Sequence, residues 1–79
     1  MERAEVLSKL TVIFRKLFSN DSLALTNELT AKDVGGWDSL SHMLLITEIE
    51  SAFLIKFKLK DLNRMKNVGD MVDIIISKL

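Results

Sequence analysis

Apolar residues return every three or four positions at both ends of this chain, and no proline interrupts them. That period is the α-helical one, and a chain without proline has no obligatory helix breaker. Over residues 2 to 18 the stripe is Val6, Leu7, Leu10, Ile13, Phe14 and Leu17. Glu2 and Glu5 fall in its first turn and Arg15 and Lys16 near its last, the charge order that suits the helix dipole. Ser19, Asn20 and Asp21 are turn formers and end this helix. A second helix is expected from about Ser39 to Phe53. Asp38 or Ser39 can cap it, since a short oxygen-bearing side chain accepts a bond from a free N–H of the first turn. Leu45, Ile49 and Phe53 recur every four residues and Ile46 widens that face, whereas Leu40, Met43, Leu44 and Thr47 lie more to the other side. The second helix therefore has two apolar faces. One can face the core and the other is left over. A last helix opens at Asn67 or Asp70 with Val68, Met71, Val72, Ile75 and Ile76 turned inward.

Residues 20 to 38 show no period. Leu23, Leu25, Leu29 and Val34 are scattered through them, which predicts a long loop pinned to the core, with a short helical turn near Thr30 to Val34 and Gly35-Gly36 at its close. A connection this long is often functional. From Leu54 to Lys60 the pattern alternates as in a strand. A lone strand has no partner, so an extended linker followed by a short helix from about Leu59 to Arg64 is expected instead. The sum is an all-α, four-helix bundle with three longer helices, one short one and a long loop between the first two, forming a single domain over residues 1 to 79.

Composition closes several functional classes. No run approaches the length of a membrane span. Residues 1 to 5 lack the basic and apolar regions of a signal peptide, and a cytoplasmic location is expected. There is no cysteine, which excludes a disulfide, a thiolate nucleophile and a Cys-based zinc site. Any thioester chemistry would have to import its sulfur from a cofactor. A single histidine excludes a multi-His metal site. Eleven basic residues balance eleven acidic ones, against the basic excess of a nucleic-acid binder. The balance is not local: Lys56, Lys58, Lys60, Arg64 and Lys66 stand against one acid, Asp61. That stretch reads as a solvated face or as a partner surface.

Ser39 is the candidate for chemistry. It follows two glycines and an aspartate at the start of a helix, where free N–H groups and positive potential favour a phosphate. Taken alone, it reads first as a helix cap. A hydrolase built on Ser39 and His42 is disfavoured, because Asp38 is badly placed to orient the histidine and the chain is too small to enclose a pocket. A metal site from Asp33, Asp38 and His42 matches no common ligand spacing.

The run Gly36-Trp37-Asp38-Ser39-Leu40-Ser41-His42-Met43 resembles the motif of the acyl carrier protein family, in which an Asp-Ser-Leu triplet follows a glycine. Glu48 to Phe53 resembles the end of that family's second helix and Val68 to Ile75 its fourth, so the likeness covers nearly the whole chain. The resemblance implies an acyl-carrier type of bundle that acts as a monomer and has no catalytic activity. Ser39 would carry a 4′-phosphopantetheine arm installed from coenzyme A by a phosphopantetheinyl transferase, with Asp38 supporting attachment. Acyl groups would ride as thioesters on the arm's thiol, at raised local concentration for each partner. Leu40, Met43 and Leu44, with Glu50, would form the surface gripped by acyl-activating, acyltransferase or synthase enzymes. A peptidyl or aminoacyl carrier would differ only in load. A helical interaction or DNA-binding module without a prosthetic group would tolerate Ser39→Ala and need a basic recognition helix, whereas the lysines here lie mostly in a linker.

Some features depart from the family pattern. Ser41, Leu44 and Ser51 stand where carriers of general fatty acid synthesis often show acids, which implies weak docking to basic partner surfaces and a dedicated biosynthetic pathway. Leu54 stands where many relatives have a turn residue. Trp37 before Asp38 resembles carriers of specialised pathways. Its side chain is expected to pack the loop against the second helix, and His42 to lie exposed beside the arm.

Overall fold

A computed structural model describes all 79 residues. It contains four helices and no strand: α1 (Arg3–Leu17), α2 (Ser39–Phe53), α3 (Leu59–Asn63) and α4 (Val68–Lys78). None is long and apolar enough to cross a membrane. The order and lengths are those expected from the periodicity.

α1 forms because its stripe has something to bury against. Val6, Leu10 and Phe14 are fully buried and meet Leu45, Ile49, Val68, Val72 and Ile75 in one core. Truncating a residue such as Leu10 to alanine would cost about 2–5 kcal/mol. Ser19 takes a left-handed conformation (φ 51°), and the Asn20 N–H closes onto the Arg15 carbonyl at 3.0 Å, ending the helix. α4 differs in one respect from expectation. Ile74, absent from the expected stripe, is buried, and Ile76 is only half-buried. A stripe counted for one buried side is too narrow for a helix covered over more of its circumference.

The long loop is fastened at several points. Leu23, Leu25 and Leu29 pack on the core and Val34 is buried within it. Arg15 Nε donates to the Leu23 carbonyl at 2.8 Å. The amides of Val68 and Gly69 donate to Leu29 and Asn27 carbonyls at 3.0 and 2.9 Å. Gly69 permits that approach, since a Cβ there would lie 3.1 Å from both Cβ and O of Asn27. Arg3 adds a clamp, reaching Asp73 and, at 3.0 Å, Asn27 Oδ1. The turn expected at Thr30 to Val34 is a hydrogen-bonded turn and not a helix. Asp33 closes it by accepting from Thr30 N and Oγ1.

After α2 the chain leaves through Leu54, a non-glycine residue at φ 56°. Ile55 is buried and Phe57 half-buried, while Lys56 and Lys58 are exposed. The alternation seen in the sequence is therefore real, although it belongs to an extended linker without strand pairing. Asp61 of α3 is the buried charged residue of the fold. Its carboxylate accepts from the Lys58 N–H at 2.8 Å and pairs with Lys78 Nζ at 2.8 Å, tying α3 to the last turn of α4.

Candidate functional site

The site forms where the long loop turns into α2. Gly36 sits at φ +88°, a conformation that L side chains rarely adopt, so the loop can reverse just before Trp37. Asp38, extended, is the N-cap. Its Oδ1 accepts from the Ser41 N–H at 2.9 Å, and Ser41 Oγ accepts from the Asp38 N–H at 2.8 Å. The Ser41 hydroxyl donates onward to the Gly36 carbonyl at 2.7 Å. This reciprocal box satisfies the first orphan donors of α2. It also settles which residue caps: Asp38 does. The bonds of the turn run through Asp38 and Ser41 and bypass Ser39, which is the first residue of α2 and exposed. Chiefly the Ser41 amide holds the Asp38 carboxyl below its ordinary value of 3.8, so it is ionised at neutral pH. In the sequence Ser41 stands out as a departure from the family's acids and not as a partner in the cap. Its signal was there, as a capping residue followed three positions on by a second short oxygen-bearing side chain.

Beneath the turn lies an aromatic buttress. The buried Trp37 ring meets Phe14 edge-on at 5.1 Å and Phe18 at 6.1 Å, and His42 stacks on it at 6.0 Å with an 18° interplanar angle. Trp37 Nε1 donates to His42 Nδ1 at 3.1 Å. Trp37 thus packs against α2 as expected, and also against the end of α1. His42 corrects an expectation: it is half-buried, because its ring covers the indole. Nδ1 must be unprotonated to accept this bond, so the imidazole is neutral with its proton on Nε2. Burial lowers the His42 pKa from 6.5, in the same sense. With Nδ1 engaged, that atom is not available as a base toward Ser39.

Leu40 is 73% exposed and Met43 and Leu44 are half-exposed, so all three stand outside the core on the outer side of α2. Leu45, Ile46, Ile49 and Phe53 fill the buried side, giving the two faces read from the spacing. Glu50 departs from its expected role. It is half-buried, and its Oε2 accepts from the Phe57 N–H at 2.8 Å. The carboxylate is turned onto the linker and is not offered alongside Leu40, Met43 and Leu44. The cause is a contact seven residues away that no helical spacing reveals. Asp33, Asp38 and His42 form no metal cluster; no group of three potential ligands occurs in the fold.

No family model matches the chain. A curated protein of Thermotoga maritima named acyl carrier protein is 35% identical over 77 residues, covering 98% of this chain and 95% of the relative. The solution NMR structure of a holo acyl carrier protein from Geobacter metallireducens has a TM-score of 0.87 and 49% identity, over 92% of this chain and 84% of that one.

Proposed function

This chain belongs to the acyl carrier protein family, and we propose that it holds its acyl intermediates on a 4′-phosphopantetheine arm attached to Ser39. One observation carries the assignment. Asp38 and Ser41 take over the capping of α2 and leave the Ser39 hydroxyl exposed, at a helix N-terminus that favours a phosphate. The residues present fit the group. Attachment joins Ser39 Oγ to the phosphate of phosphopantetheine and releases adenosine 3′,5′-bisphosphate from coenzyme A, with the serine proton leaving to solvent or a base of the transferase. The bound arm supplies a thiol, which this cysteine-free chain lacks.

The chain's own residues hold the attachment point. Asp38 and Ser41 fix the turn, Trp37 and His42 anchor it to α1 and α2, and the Asp38 carboxylate stays ionised beside the serine. Leu40, Met43 and Leu44 offer an apolar contact to the phosphopantetheinyl transferase and then to acyl-activating, acyltransferase or synthase enzymes of the cytoplasm. The chain itself catalyses nothing. A dedicated pathway is favoured by the outer side of α2, where Ser41, Leu44 and Ser51 stand instead of acids and Glu50 is occupied with Phe57.

The test is intact mass after incubation with coenzyme A and a broad-specificity transferase. One phosphopantetheine is gained by the native chain and none by Ser39→Ala, whose Trp37 emission matches the native protein. Absence of a gain, with an active transferase control, sinks the assignment. The mass of the co-purified load then separates an acyl from an aminoacyl carrier.

A further inference from the structure

We infer that the surface from the end of α2 into α3 docks a protein partner whose contact face sets carboxylates around an apolar spot. The inference rests on the carrier reading only in taking that partner to be an enzyme acting on the load.

Leu54 supplies the first observation. It is 89% exposed and left-handed at φ 56°. Glycine or asparagine suits that backbone better, and the leucine side chain returns almost no packing for the strain. Leu59 stands 74% exposed after the linker. Between α2 and the linker runs an open groove of about 540 Å³, bordered by Thr47, Glu50, Ser51, Leu54, Ile55 and Lys56, with the Glu50 carboxylate engaged by the Phe57 N–H.

Charge supplies the second. Ile55 and Phe57 turn inward, leaving Lys56 and Lys58 outward, and Lys60, Arg64 and Lys66 are exposed as well. None of the five is in an ion pair; the two pairs of the fold are Arg3 with Asp73 and Lys78 with Asp61. The one acid of the segment is buried and already neutralised by Lys78. Arg64 and Lys66 stand beside Asp70, so the neutral total of the chain conceals chiefly Lys56, Lys58 and Lys60, exposed and unpaired in the segment that holds Leu54 and Leu59.

The third is continuity. Leu54 ends the helix that begins at Ser39 and presents Leu40, Met43 and Leu44. A partner working at the Ser39 end lies alongside this helix. An anionic membrane fits less well, because α3 has five residues and offers no extended amphipathic face. Rim charges of this kind speed encounter, fix orientation and make binding salt-sensitive.

The test uses the full ¹⁵N-labelled chain. The probes are a synthetic amphipathic helix bearing glutamates around leucines, the same peptide with glutamine for glutamate, and phosphatidylglycerol vesicles. The acidic peptide is expected to shift amides over residues 54 to 66, and high salt to weaken it. The glutamine peptide, and the variant Lys56→Gln/Lys58→Gln/Lys60→Gln, bind about tenfold more weakly. Leu54→Asn also binds more weakly while remaining folded. Equal binding of the two peptides, shifts confined to Leu40–Leu44, binding to vesicles but not peptide, or self-association through this surface would each overturn the inference. Phosphopantetheine loading of the triple-Gln variant shows that it is folded. Failure of the native chain to load would sink the Ser39 assignment and leave the peptide result to be read by itself.

Discussion

The two ends of α2 solve the same problem in opposite ways. At the N-terminal end, Asp38, Ser41 and Gly36 satisfy one another through local bonds, and the turn rests on Trp37, Phe14 and Phe18. What is left over is a hydroxyl, Ser39. At the C-terminal end, the Leu54 and Ile55 amides return to the Glu50 carbonyl, and the Glu50 carboxylate reaches forward to Phe57. What is left over there is a hydrocarbon side chain on a strained residue. Polar groups are met at both ends. The residue that the fold does not need differs, and so does the chemistry each end can offer: covalent attachment at one, contact at the other.

The comparison breaks most easily at Ser41. Ser41→Ala removes the acceptor of the Asp38 N–H and the donor to the Gly36 carbonyl, which should cost about 1–3 kcal/mol. Urea unfolding followed by Trp37 emission measures it. A stability equal to the native protein would mean that the aromatic packing alone holds the turn. Leu54→Asn sharpens the contrast with the opposite sign. Relief of the left-handed leucine should raise stability by up to about 1 kcal/mol, read in the same titration. A loss would show that Leu54 packs more than its exposure allows.

The subtlest effect is in pH. His42 has its folded pKa lowered below 6.5 by burial, so the unfolded chain binds more protons in the window beneath that value. Its contribution to stability is complete above pH 6.5 and is lost as pH falls through the folded pKa. Asp61 acts further down. Lys78 and the Lys58 amide hold it below 3.8, and its contribution goes as pH falls through that lower folded pKa. The chain has one tryptophan and one histidine, so Trp37 emission should report a single step with its midpoint below 6.5, absent in His42→Ala. A midpoint at 6.5 or above would contradict the stacked, neutral imidazole.

The helices were legible because their information is periodic and local. The buried residues of α1 and α2 follow from spacing alone, and the exposure of Leu40, Met43 and Leu44 follows from the second apolar face that spacing left unpartnered. The linker was legible through its alternation. Non-local contacts were the obscure part. Nothing near His42 announces that Trp37 will lie flat against it, because the loop's path decides that. Glu50 reads as a surface acid until the chain comes back to place the Phe57 amide in front of it. The choice between Asp38 and Ser39 as cap was open in the sequence, since both residue types cap well. The extended backbone of Asp38 and its bond to Ser41 decide it.

The length of α2 has a geometric consequence. From Leu40 to Leu54 is fourteen residues, roughly 20 Å at 1.5 Å per residue. A partner holding the carrier near Ser39 alone leaves it free to swivel about that point. One that also seats Leu54 grips a rod at both ends, and a slack of about 1 Å at either end then limits angular error to roughly 3°. The leucine at the far end of α2 from Ser39 would in that way set the bearing along which the load enters the partner.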